Sequence, residues 1–216
     1  MADHAVGIPI VKEGWPFVGG LGGLALLFGG VGWPIPALVA GGFTLFTAWF
    51  FRNPSRTIPQ QPNMVVSPGD GKVIAIEEEF EPRYLKEKSI RVTVFLNVFD
   101  VHVNRMPCAG IVEGVSYQPG QFLVASKPEA TLHNEQNAVM LKAESGAKVL
   151  CVQVAGLIAR RIVCWVGEGD RVERGERYGL IRFGSRMDTF LPLGSSIRVA
   201  VGDRVKGGES ILGELR

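Results

Sequence analysis

The sequence predicts a mainly β protein, a β-barrel or sandwich-hybrid domain preceded by an apolar helical segment that associates with a membrane. Three observations carry this expectation. No charged residue occurs between Glu13 and Arg52, short Val- and Ile-rich runs alternate with Gly, Pro, Asp and Asn from Asn63 onward, and one Gly-Asp-Arg-Val pattern occurs twice. The 216 residues have room for one substantial core plus a smaller segment.

Residues 1–14 read as an N-terminal tail and 15–51 as the apolar segment. Trp33-Pro34-Ile35-Pro36 divides that segment into two arms. Each arm has roughly sixteen residues, slightly short of the roughly 17 to 25 that a spanning helix needs. A re-entrant hairpin and two short helices both fit. Lys12 on one flank and Arg52 and Arg56 on the other favour cytoplasmic placement of both ends. Trp15, Trp33 and Trp49 suit membrane interfaces, and Asp3 and Glu13 argue against a cleaved export signal.

Residues 52–216 form the β-rich domain. Its strand candidates are 65–66, 71–76, 90–96, 110–117, 138–143, 148–154 and 162–165, each a β-branched run bounded by turn residues. The stretches 98–103 and 129–136 fit either a strand or a turn of helix. The repeat is Gly169-Asp170-Arg171-Val172 with Gly175-Glu176, and again Gly202-Asp203-Arg204-Val205 with Gly208-Glu209. It suits a tight turn, a strand and a second turn, as in the hairpins of biotinyl and lipoyl carrier domains. The lysine tip such carriers modify is absent.

Lys plus Arg number 23 against 21 Asp plus Glu, so the net charge of +2 supplies no footprint for nucleic acid. Cys108, Cys151 and Cys164 are odd in number and far apart, which suits buried thiols in a reducing, cytoplasmic setting and neither disulfides nor a metal site.

The end of the chain carries Phe183-Gly184-Ser185-Arg186-Met187-Asp188 and then Leu191-Pro192-Leu193-Gly194-Ser195-Ser196. Together with 51–56 (FRNPSR), 67–72 (SPGDGK), 100–107 (DVHVNRMP) and 134–137 (NEQN), these segments resemble the short-form phosphatidylserine decarboxylases of bacteria and archaea. The resemblance covers essentially the whole chain. It implies a lyase made as a proenzyme that cleaves itself in a Leu-Gly-Ser-Ser motif, here between Gly194 and Ser195. Residues 1–194 and 195–216 are then the beta and alpha chains of a heterodimer, and Ser195 becomes a covalent pyruvoyl cofactor.

The chemistry of a Gly-Ser pair agrees with that implication. A serine hydroxyl attacks the preceding carbonyl, which glycine leaves open, and the amide becomes an ester. Elimination and hydrolysis then leave a pyruvoyl group. By resemblance this group forms a Schiff base with phosphatidylserine at the membrane surface, and CO2 departs to give phosphatidylethanolamine. The implied location is the cytoplasmic face of a bacterial cell membrane, with homo-oligomerisation left open.

Of the three histidines, His4 precedes the apolar segment. His102 lies in the segment that resembles the family's histidine motif and is the leading proton-transfer residue. The family's second motif histidine is replaced by Arg105, which leaves His133 as a substitute or Arg105 as an oxyanion partner. Asp70 fits an ordinary Asp-Gly turn or, by resemblance, the carboxylate that orients a histidine or helps deprotonate Ser195. Arg186 and Asp188 read as a structural ion pair, and Arg52 and Arg56 as membrane-facing cations. The competing readings are a noncatalytic membrane-anchored β-domain that binds a partner, and a pyruvoyl decarboxylase of a soluble amino acid.

Overall fold

The computed structural model describes residues 9–123, 125, 133–156, 161–182 and 184–216. It divides into two compact units, one ending at Ser55 and the other running from Arg56 to Arg216.

In the first unit, helix α1 (Trp15–Gly30) and helix α2 (Pro34–Phe50) pack against each other across a short turn. Each begins with proline in its first turn, where the missing N–H costs nothing. The base is closed by Val11 N–H donating to the Phe51 carbonyl at 3.0 Å and Asn53 N–H donating to that of Pro9 at 2.8 Å. The helices have 16 and 17 residues. At ~1.5 Å per residue neither reaches the ~30 Å of a hydrocarbon core. Among the described residues no helix is long and apolar enough to cross a membrane. Two short helices form, packed side by side as a hairpin.

The second unit is mainly β, as the alternating pattern predicts. Its strands are β1 (Met64–Val66), β2 (Gly71–Glu81), β3 (Glu87–Leu96), β4 (Val103–Arg105), β5 (Gly110–Gln118), β6 (Gln136–Ala143) and β7 (Lys148–Ala155). They continue with β8 (Ile162–Cys164), β9 (Arg171–Val172), β10 (Arg177–Ile181), β11 (Ser185–Pro192), β12 (Ser196–Ile197), β13 (Arg204–Val205) and β14 (Ile211–Glu214). An eight-stranded sheet runs β13-β2-β3-β11-β7-β6-β5-β9, beside two three-stranded sheets, β1-β14-β12 and β4-β10-β8. The ambiguous stretch 98–103 is a turn leading into β4, and residues 126–132 lie outside the described set.

The repeat explains this order. Val112 exchanges backbone hydrogen bonds with the first copy, with Asp170 O at 2.9 Å and from Gly169 N–H at 2.8 Å; Val73 does the same with Asp203 and Gly202 at the same distances. Bulges fall at matching places, Val73/Ala75 in β2 and Val112/Gly114 in β5. The two halves also exchange bonds, Val66 N–H to Pro107 O and Arg105 N–H to Pro68 O, both 2.8 Å. The eight-stranded sheet is thus pseudo-two-fold about the β11–β7 pair. That pair lies in its middle, hydrogen-bonded on both sides.

One sheet face carries the main core, including Val92, Val94, Leu141, Val149, Met187 and Leu191. Cys108 and Cys151 are buried and Cys164 is partly buried, and all three are free thiols. Burial pushes the Cys108 thiol up to about 12.

Candidate active site

The start of β11 is where chemistry-bearing residues converge. His102, 2% exposed, precedes β4, and its Nδ1–H donates to the Asp100 carbonyl at 2.9 Å. Its Nε2 then accepts from the Gly184 N–H at 3.2 Å. A carbonyl only accepts and an amide N–H only donates, so these partners assign a neutral imidazole protonated on Nδ1. A basic ring nitrogen thus faces the residue just before Ser185.

Ser185 is fully buried, and its Oγ has no hydrogen-bond partner. Its strand neighbours are Leu96 of β3 and Ala155 of β7. Gly184 has φ +66°, a conformation glycine adopts without strain. Its carbonyl oxygen lies so close to Gly156 that a Cβ there would sit 2.1 Å from it. Asn134, also buried, ties the neighbouring segment down by donating to the Ala155 carbonyl at 2.7 Å.

The other expected residues distribute unevenly around this point. Asp70 immediately precedes β2, whose Lys72 pairs with Phe95, while Leu96 pairs with Ser185. Two strand spacings, about 10 Å, therefore separate it from the Ser185 backbone. Its carboxylate is held by Arg56 Nη2 at 2.8 and 2.9 Å and by the Gly207 N–H at 2.8 Å. Arg56 is thus a partner of Asp70 inside the β unit. His133 is exposed, next to Asn134. Arg105 donates to the Gly175 carbonyl at 2.9 Å, and burial together with Arg56 and Arg177 lowers its pKa to about 10.

Ser195 lies elsewhere. It follows the opposite end of β11, where its N–H donates to the Pro192 carbonyl at 2.9 Å. The strand between Gly184 and Pro192 spans about 25 Å at ~3.3 Å per residue. His102 and Asp70 therefore lie at the Ser185 end of β11, away from Ser195. Ser195 Oγ is also buried and without a partner, at the end of β11 opposite His102 and Asp70. The sequence contains both Gly-Ser pairs, one within the 183–188 segment and one at 194–195.

The family model for phosphatidylserine decarboxylase matches residues 43–213. The chain belongs to the phosphatidylserine decarboxylase family. Among its curated relatives, the phosphatidylserine decarboxylase proenzyme of Syntrophus aciditrophicus is 49% identical over 208 residues, covering 94% of this chain and 96% of the relative. Those of Syntrophotalea carbinolica and Symbiobacterium thermophilum are 47% and 48% identical, each covering at least 95% of both chains. The family assignment covers β11 and both Gly-Ser pairs.

Proposed function

We propose that this phosphatidylserine decarboxylase processes itself between Gly184 and Ser185. The observation that carries the proposal is the 3.2 Å contact of His102 Nε2 with Gly184 N beside a buried, unpartnered Ser185 Oγ. Ser185 Oγ attacks the Gly184 carbonyl carbon and gives up its proton, and the Gly184–Ser185 amide becomes an ester with a free Ser185 amine. Removal of the Ser185 Cα proton expels the Gly184 carboxylate. Water then replaces the nitrogen, which leaves as ammonia, and a pyruvoyl group remains on residue 185.

The residues present fit such a group. A buried hydroxyl with no competing partner is free to react, and Gly156 leaves room at the Gly184 carbonyl. Once formed, the group supplies a ketone that serves as an electron sink for decarboxylation of a bound primary amine. His102 holds a proton-accepting nitrogen at this position, consistent with proton transfer during turnover. Residues 1–184 and 185–216 are then the two chains. The smaller carries β11, hydrogen-bonded to β3 and β7 on either side, so the chains stay associated after cleavage.

The substrate amine belongs to a lipid, and the exposed apolar side chains of α1 and α2 support membrane association. Leu26, Ile35, Leu38 and Leu45 are each at least 74% exposed. Neither helix carries a charged residue or a polar face, which suits immersion in the apolar layer of a membrane. The cytoplasmic face of the membrane fits the flanking cations.

Intact mass under denaturing conditions tests the proposal. Fragments ending at Gly184 and beginning with a carbonyl-blocked residue 185, lost in Ser185→Ala and kept in Ser195→Ala, are expected. Fragments divided after Gly194 would transfer the role to Ser195, as the Leu-Gly-Ser-Ser resemblance implies. An uncut chain that still releases CO2 from phosphatidylserine would rule out both.

A further inference from the structure

The sheet face opposite the main core holds a second polar constellation. Here Arg91 of β3 lies opposite Phe190 of β11, and Asp188 lies opposite Thr93, so Arg91 and Asp188 are diagonal neighbours. The turn following β2 covers them. Between turn and sheet is a cavity of about 240 Å³ whose lining includes Glu79, Tyr84, Arg91, Gln136, Asp188 and Phe190.

Two of these lining residues each keep a buried atom with no hydrogen-bond partner, Oδ1 of Asp188 and Nε of Arg91. Both side chains are otherwise fixed. Asp188, 1% exposed, receives Arg186 Nη2 on its other oxygen at 2.9 Å. Arg91 pairs through Nη2 with Glu77, and with Glu79 at 3.4 Å. A buried carboxylate oxygen and a buried guanidinium N–H left unpaired are each costly, and both belong to residues that line one cavity.

The free acceptor calls for a cationic donor and the free donor for an anionic acceptor, at the separation of diagonal neighbours on one sheet face. An α-amino acid zwitterion carries both on a single carbon. Its ammonium would donate to Asp188 beside the rings of Tyr84 and Phe190, and its carboxylate would accept from Arg91. The volume is several times the ~30 Å³ of one bridging water. Asp188 and Glu79 set against Arg91, with Arg186 behind, favour a ligand without net charge.

We propose that this cavity is a second, non-reacting binding site for an α-amino acid zwitterion, either free serine or the serine headgroup of a lipid. The lipid source rests on the decarboxylase reading; the cavity itself does not. Asp188 is three residues beyond Ser185 and faces the other side of β11, so the occupant is not the reacting amine. The Asp188–Arg186 pair and the 3.1 Å bond from Arg186 Nη1 to the Ala125 carbonyl connect the cavity to the segment beside Gly156.

Calorimetric titration of the full-length Ser185→Ala protein in detergent tests this with L-serine, ethanolamine and 3-hydroxypropionate. Saturable serine binding is expected, at least tenfold tighter than either half-ligand. It should weaken at least tenfold in Asp188→Asn and in Arg91→Gln. Because Asp188→Asn breaks a buried ion pair, the cavity-filling Val152→Phe, checked for an unchanged circular dichroism spectrum, supplies an independent loss. Competition by short-chain phosphatidylserine identifies the headgroup as the source, and serine binding without competition identifies the free amino acid. Absence of serine and lipid binding, or binding indifferent to all three substitutions, overturns the proposal and leaves only bridging water. Cleavage at Gly184–Ser185 is read separately by mass, so failure there does not touch this result.

Discussion

The amide of Gly184 and the imidazole of His102 meet at 3.2 Å although 82 positions separate them in the chain. The contact requires an unprotonated Nε2, and it sets a ring nitrogen beside the peptide that the proposed processing breaks. Replacing His102 by Asn should lower the decarboxylation rate of already processed enzyme by about 10²- to 10⁴-fold, the usual range for a lost general acid or base. Single-turnover assays measure this; a loss below tenfold would argue against proton transfer by His102.

Gly156 should tolerate no side chain. A Cβ there meets the Gly184 carbonyl oxygen at 2.1 Å, backbone against backbone, so Gly156→Ala must displace β11 at its first residues. Processing followed by gel should slow at least tenfold, with a stability loss of about 1–3 kcal/mol in urea unfolding.

Arg56 and Asp70 form a largely buried pair, with side chains 7% and 17% exposed. Removing one partner leaves the other charge uncompensated, so Arg56→Met should cost about 3 kcal/mol. The double variant Arg56→Met, Asp70→Asn should recover part of that loss. If Asp70 served only catalysis, Arg56→Met would leave the urea midpoint unmoved.

Alkaline stability should reflect Cys108. Its thiol rises from an ordinary value of 9.0 to about 12 because burial disfavours the thiolate. The folded state therefore keeps a proton that the unfolded state releases. This contribution is fully present below pH 9 and is lost as pH climbs towards 12. A three-unit rise corresponds to roughly 4 kcal/mol. Urea midpoints between pH 8 and 11 should fall less steeply for Cys108→Ala than for the parent chain.

Membrane association by the helix pair is tested by flotation with anionic vesicles. Leu26→Glu combined with Leu38→Glu places charges at positions 80% and 76% exposed, so folding of the β unit should be unaffected. Loss of flotation with retained self-cleavage is the expected result; undiminished flotation would exclude the helices from membrane binding.

The mainly β character, the short helices and the duplicated Gly-Asp-Arg-Val turns were legible along the chain, because period-two runs, prolines and glycines act over a few residues. It also carried the family through motifs spread along the chain. The repeat was legible as a pattern, but its consequence, a pseudo-two-fold sheet about β11 and β7, depends on pairings between segments far apart in sequence. Choosing between two Gly-Ser pairs lay beyond local chemistry, since Gly184-Ser185 and Gly194-Ser195 are the same dipeptide with the same intrinsic reactivity. Long-range strand pairing sets which one faces His102. Strand register carries Asp70, His102, Asn134 and Gly156 to the Ser185 end of β11 and leaves Ser195 beyond the other end of this strand of about 25 Å. The unpaired Asp188 and Arg91 were invisible for the same reason: they become diagonal neighbours only when β3 and β11, nearly a hundred residues apart, lie side by side.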